Sequence, residues 1–168
     1  MDENENMDNN GTHRPPTVGR ATFFGSYSHS VDAKGRIIIP NAYRATLGDA
    51  FTVGPARDFK GVALYPDAVF EEILAELSGM NQRKPFVQKY TTQFYKLSYR
   101  DMQPDGQGRL LLPPKLRQRM LGDAKDLEFS GAFNHVRIVD ALAADADDQD
   151  FTENLETILE RIGDIDAT

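Results

Sequence analysis

Cysteine is absent from all 168 residues. Its absence removes any disulfide framework and any thiolate-bound metal. Histidine is scarce, and His13, His29 and His135 are too scattered along the chain to suggest a metal site. No apolar run is long enough to span a bilayer. The opening stretch, MDENENMDNNGTHRPP, lacks the basic start and apolar segment of a secretory signal. A soluble, cytoplasmic protein with no membrane partner is the expectation. A phosphate-cradling loop is missing too: Gly106 and Gly108 are not followed by the Lys-Ser/Thr pair that such a loop needs. No cofactor is expected. Positive charge is in short supply overall, with a net charge of -7, which on its own argues against nucleic acid as a partner.

The distribution of charge reverses that argument. Residues 140–168 carry ten acids and one base, and residues 1–20 carry four acids and two arginines. Residues 21–139 carry sixteen bases against twelve acids, a surplus of +4. The acidity sits at the ends, and asymmetry between segments is more informative than the total.

What the chain does have is one statement made twice. Residues 32–40 read DAKGRIIIP and residues 105–113 read DGQGRLLLP, an offset of 73, and Arg44 finds its echo in Arg117 at the same offset. Each unit is too small to bury an adequate core alone. The two should share one core and be related by a pseudo-twofold that sets Arg36 and Arg109 in equivalent places.

Local patterning supports a mainly β protein with short helices, α+β in class. Residues 1–20 are polar and Asn-rich, and read as a disordered extension. From Phe23 the pattern alternates, with Phe23, Tyr27 and Val31 on one face and Phe24, Ser26, Ser28 and Ser30 on the other, as in a half-buried strand. Asp32 opens a turn and Gly35 supplies its positive φ. A strand over 36–39 is stopped by Pro40, and a short helix over 41–47 ends at Gly48. Strands are expected at 51–53 and 62–65, then a helix from about Asp67. Pro85 suits the first turn of another helix bearing Phe86, Tyr90, Phe94 and Leu97. The second unit repeats the order. The Asp105–Gly108 turn is followed by a strand over 109–112, stopped by Pro113, and a helix over 115–120. Strands at 127–130 and 135–139 come last. In the acidic tail, Phe151, Leu155, Ile158, Leu159 and Ile162 keep a helical stripe that should dock within the chain or on a neighbour. Divided by function, the chain has an extension (1–20), a first half (21–80), a second half (81–140) and a tail (141–168).

A single Asp-x-x-Gly-Arg loop would most often be a plain β-turn with an exposed arginine. Two copies, each followed by the same strand, proline and helix, favour a shared function. An arginine at a hairpin tip can bond bidentately to guanine in the major groove, and Lys34 can hold phosphate. Two equivalent aspartates, Asp32 and Asp105, also invite comparison with a proton-sharing protease dyad. Ala33 and Gly106 stand where that dyad needs Ser or Thr, and an adjacent arginine keeps a carboxylate ionised. Capping of its own turn is the simpler role for each Asp.

The segments FFGSYSHSVDAKGRIIIPNAYR and YRDMQPDGQGRLLLPPKLR closely resemble the MraZ family over about residues 22–140. The resemblance implies two AbrB/SpoVT-type swapped-hairpin halves interleaved into one barrel-like unit, and a homo-oligomeric ring of such units. It implies a transcriptional regulator, a repressor in most cases. Its partner would be double-stranded DNA with tandem direct repeats upstream of the division and cell-wall gene cluster, its own promoter included. It would be cytoplasmic and associated with the nucleoid, and not an enzyme. Carried over by position, the DNA-contacting residues are Lys34, Arg36 and Arg109, and Gln107 replaces the second lysine. Asp32, Gly35, Asp105 and Gly108 shape the turns. The chain departs from the family pattern at Lys89-Tyr90-Thr91-Thr92-Gln93, where arginines are common, at Phe70 and Val139, where tryptophan is common, and in its longer tail. A structural or protein-interaction ring that does not bind DNA is the alternative.

Overall fold

The structure is a computed structural model and describes residues 22–167. The expected disordered extension, residues 1–20, lies outside them. Each repeat unit begins with a strand, turns at its Asp-x-x-Gly loop, and continues into a short strand and a helix. In the first unit these are β1 (Ser26–Ser30), β2 (Arg36–Ile38) and α1 (Asn41–Leu47), followed by β3 (Phe51–Pro55) and β4 (Val62–Tyr65). The second unit has β5 (Tyr99–Met102), β6 (Arg109–Leu111), α4 (Pro114–Leu121), β7 (Asp126–Gly131) and β8 (Val136–Asp140). Between the units lie α2 (Asp67–Gly79) and α3 (Pro85–Lys96), and after the second comes α5 (Ala141–Asp166). Prolines 40, 66, 85, 113 and 114 stand at helix starts, where their missing N–H costs no helical bond. Gly48 and Gly122 end α1 and α4 with positive φ, as their spacing predicts.

Strand order carries the symmetry. The main sheet runs β1-β7-β8-β4-β3-β5, antiparallel throughout. Exchanging the two units turns this order into its own reverse. The first strand of each unit therefore pairs with the third strand of the other: Ser26–Ser30 lie against Asp126–Ser130, and Tyr99 and Met102 against Val53 and Phe51. The pseudo-twofold passes between Ala63 and Arg137 in the main sheet, and between Ile37 and Leu110 in a second sheet made of β2 and β6 alone. The barrel-like closure implied by the family resemblance is not what forms. The six-stranded sheet is open, with β1 and β5 as its edges, and the β2–β6 ribbon covers one face.

The sheet separates two apolar clusters. On one side Val62, Leu64, Phe129 and Ile138 meet Ile37 and Leu110 of the ribbon and Leu47 and Leu116 of the short helices. On the other, Ala63 and Tyr65 meet Phe70, Ile73 and Leu77 of α2 and Phe94 of α3. Alternate residues of β4 serve opposite clusters, and this strand is buried along its whole length. Its uninterrupted apolar sequence follows from lying between two layers.

One local expectation is corrected and a second is narrowed. The regular strand begins at Ser26, not Phe23, because Gly25 takes a φ of 79° and bends the chain. Phe23 joins the sheet through an isolated bridge to Phe133, and Tyr27 is partly exposed and packs edge-on against Tyr43. The tail is one long helix, α5, and among the described residues its apolar stripe stays largely exposed, which leaves of the two expected dockings the one on a neighbour. Only Ala144 is buried, with the helix start resting on β7 and β8. The pseudo-equivalent helix α2 shows why. Where α2 inserts Phe70, Ile73 and Leu77, an offset of 74 gives α5 Ala144, Asp147 and Phe151. A small side chain and a charge replace two anchors.

Neighbouring isoleucines on β2 test the layering. Ile37 is 1% exposed and Ile38 47%. Ile37→Ala should cost ~2–5 kcal/mol by loss of transfer energy and creation of a cavity. Ile38→Ala should cost about 0.5 kcal/mol or less. Urea unfolding of the two variants measures the difference.

Candidate nucleic-acid interface

The two repeat loops share one hydrogen-bond scheme. Asp32 Oδ1 accepts from the backbone N–H of Lys34 and of Arg36, both at 2.9 Å, and Asp32 Oδ2 accepts from Arg36 Nε at 2.7 Å. Asp105 Oδ1 accepts from the N–H of Gln107 and of Arg109 at 2.9 Å, and its Oδ2 from Arg109 Nε at 2.7 Å. Each loop is closed by the glycine N–H donating to the aspartate carbonyl. Gly35 and Gly108 take φ of 81° and 76°, a region that glycine enters without steric cost. Aspartate thus does two jobs at once. It shapes the turn, and it fixes the arginine by one edge, leaving both terminal guanidinium nitrogens unused by that bond.

Both carboxyls are held below the usual carboxylate range, chiefly by the backbone N–H of the following arginine, with its side chain adding to the effect. A proton-sharing dyad requires one carboxyl raised, the opposite direction.

The loops are locked to each other across the pseudo-twofold. Ile39 N–H donates to the Gly108 carbonyl at 2.9 Å, and Leu112 N–H donates to the Gly35 carbonyl at 3.2 Å. The repeated arginines brace the same joint. Arg44 donates from Nε to the Ile39 carbonyl and from Nη2 to the Gln107 carbonyl, and lies where a Cβ on Gly108 would have to sit. Arg117 occupies the matching place beneath Gly35. The shared offset of Arg44 and Arg117 was visible in the sequence, but spacing alone does not reveal that each supports the other unit's loop.

Register on the ribbon decides what faces outward. Arg36 pairs with Leu111, and Ile38 with Arg109. Paired residues of antiparallel strands project to the same side, so these four share one face, and Ile37 and Leu110 share the buried one. Ile38 and Leu111 are about half exposed, at 47% and 53%. Arg36 and Arg109 sit diagonally across the ribbon, with their Cα atoms roughly 7–8 Å apart. The result is a small twofold face of two oriented arginines around two uncovered apolar side chains. Lys34 stands at one end and Gln107 at the other. Register thus brings Arg36 and Arg109 onto one face, with the exposed turn residues Lys34 and Gln107 beyond its two ends. Among the described residues, no cluster of three or more His, Asp or Glu could hold a metal ion, and no helix is long and apolar enough to cross a membrane.

Fold and site together define a class: α+β proteins made of two related units that jointly present an arginine-bearing, two-stranded ribbon. A family model described as "MraZ protein, putative antitoxin-like" matches residues 22–92. Over 145 residues the chain is 33% identical to the "Transcriptional regulator MraZ" of Mycolicibacterium gilvum, covering 85% of this chain and 99% of that one. The protein of the same name from Acetivibrio thermocellus is 31% identical over 146 residues, covering 83% and 96%. That from Lachnoclostridium phytofermentans is 34% identical over 116 residues, covering 69% and 79%. The chain belongs to the MraZ family.

The clamp has a pH signature. Depressed folded-state values mean that the two carboxylates stabilise the fold fully above the unfolded value of about 3.9, and that this contribution fades as pH falls through the lower folded values. The double variant Asp32→Asn/Asp105→Asn should be less stable than the parent near pH 6, and the gap should narrow towards about pH 2.5. Urea unfolding across that window checks the sign; a gap that widens in acid contradicts it.

Proposed function

We propose that this protein is a DNA-binding transcriptional regulator that uses the β2–β6 ribbon as its reading head. The observation that carries the proposal is the outward face of that ribbon, where two arginines are held at fixed angles by their own loop aspartates. A two-stranded ribbon fits the major groove, and arginine is the side chain suited to guanine O6 and N7 there. Pre-orientation by Asp32 and Asp105 lowers the entropy lost when each arginine docks. Arg36 and Arg109 are assigned to base contact, Lys34 to phosphate and Gln107 to a weaker polar contact. The same face would carry Ile38 and Leu111 against thymine methyls, a contact available to apolar side chains in that groove.

Family membership supports the finer reading: a repressor acting on short direct repeats upstream of the division and cell-wall gene cluster, including its own promoter, in the cytoplasm at the nucleoid. The units 21–80 and 81–140 act as interleaved swapped-hairpin halves, and the tail from 141 onward stays outside the reading head. The small basic surplus of residues 21–139 favours assembly into a homo-oligomeric ring. One such module binds a short site weakly, and linking modules on tandem sites raises the effective concentration.

Fluorescence anisotropy on tandem-repeat duplexes tests this. Arg36→Ala should cost ~1–3 kcal/mol on the preferred sequence and relax the preference. Lys34→Ala should weaken all sequences alike and flatten the salt slope by about 0.9. Normal binding by a folded Arg36→Ala variant contradicts the assignment, and salt-insensitive or absent binding by the parent favours an interaction ring without DNA. Removal of residues 141–168 should leave sequence preference unchanged. It should also raise affinity at low salt, where a Debye length of about 30 Å at 0.01 M leaves like-charge repulsion unscreened.

A further inference from the structure

Among the described residues, the distal part of α5 exposes an apolar seam. Phe151, Leu155, Ile162 and Ile165 are 52%, 38%, 51% and 75% exposed, and Ile158 between them is only partly covered. Their spacing of four, three, four and three residues is the alternation of a heptad seam, narrower than the face a helix lays on a sheet. With Leu155 and Ile162 at positions a, and Phe151, Ile158 and Ile165 at positions d, the remaining residues fall into order. Asp150, Glu153, Glu156, Glu160 and Asp164 occupy the outer positions b, c and f. The flanks e and g hold Thr152, Asn154, Leu159, Arg161 and Asp166. Within 150–166, five of the six acids are thus directed away from the seam, and the sixth, Asp166, is on a flank.

We infer that α5 associates through this seam with the same helix of other copies of the chain, as a parallel coiled coil. Flank charges favour the parallel sense. Arg161 at g lies five residues before Asp166 at e, the offset at which g of one parallel strand meets e of the next. In an antiparallel pair g meets g, and the match is lost. Leu155 at a, with isoleucine at both later d positions, is a side-chain choice that favours more than two strands. A rival site exists on the body of the molecule, an apolar groove lined by Phe59, Phe86 and Tyr90 with Lys89 and Arg119 at its rim. Laid there, the seam would bring flanks of zero net charge, with Arg161 and Asp166 among them, to a cationic rim, and five of the six acids in 150–166 would face outward unused. Charge complementarity is therefore poor in the groove and good between copies. The inference does not depend on DNA binding.

Salt tests the pairing between copies. The α5 helix carries nine acids and one arginine, so bringing copies together is opposed by repulsion that added salt screens. The seam is short, and pairing of so few heptads is weak, but α5 is already helical and anchored at Ala144. The absence of cysteine makes a single introduced thiol a unique reporter. The full chain would be prepared with Ile158→Cys in the seam, or with Glu156→Cys on the outer face, and oxidised mildly at about 0.05 M and about 0.5 M NaCl, conditions that differ in screening length. Ile158→Cys should give roughly tenfold more disulfide-linked dimer than Glu156→Cys, because only seam positions bring Cβ atoms within bonding range. Its yield should rise with salt, and Leu155→Asn with Ile162→Asn in the same chain should abolish it. Equal yields from the two thiols, a yield that falls with salt, or cross-linking that survives the double Asn change would each overturn the inference.

Discussion

Strand β1 is not paired with any strand of its own unit. It is completed by β7 from the far end of the chain, and β5 is completed by β3 in return. This exchange is the constraint on which the rest depends. It joins two units that could not each bury a sufficient core, and it brings β2 and β6 side by side so that their hydrogen bonds are satisfied by one another. It also sets the loops back to back, where the carbonyl of each loop glycine accepts from the strand end of the other unit. Without the exchange there is no ribbon, and Arg36 and Arg109 share no face.

The arrangement of polar groups follows. An arginine on a free loop is a flexible cation. Here Asp32 and Asp105 each satisfy two backbone N–H groups and one guanidinium edge, and Arg44 and Arg117 fill the space beneath the loop glycines. The outward face is thus held from below by groups that are not part of it. Exposed apolar side chains at Ile38 and Leu111 are tolerated on a ribbon whose other face is anchored by Ile37 and Leu110. Rigid support beneath a small surface is what precise contact with a partner requires.

Much of this could be read from the residues because local rules and tertiary packing agree. The loop glycines, the prolines at 40 and 113, and the apolar run in residues 62–65 each have one cheap conformation, and the structure adopts it. Disagreement arises where the deciding partner is remote in sequence. Phe23 looks like a strand residue, yet Gly25 breaks the ladder and Phe133 supplies the contact. Arg44 is marked by the repeat, but its role is hidden until the other unit's loop is placed over it. Barrel closure depends on whether β1 and β5 meet, and no local pattern encodes that distance. The α5 stripe shows that a helical period predicts a helix without saying what covers it; comparison with α2 was needed to see that its anchors to the sheet are missing. The arginine face itself was legible as residues, because the repeat declares it, but its two apolar members became visible only through the strand register.

The pseudo-twofold is imperfect at one telling place. Lys34 and Gln107 occupy equivalent positions in the two loops, and only one of them is charged. A dimer of identical chains presents the same surface after a half turn, and so cannot tell one direction along a duplex from the other; such proteins go with palindromes. A single chain that imitates a dimer is free to differ between its halves. The ribbon of this protein has a head, marked by Lys34, and a tail, marked by Gln107. Any elongated partner laid across it therefore meets a polar arrow, and a row of such modules pointing the same way would match sites that are repeated rather than mirrored.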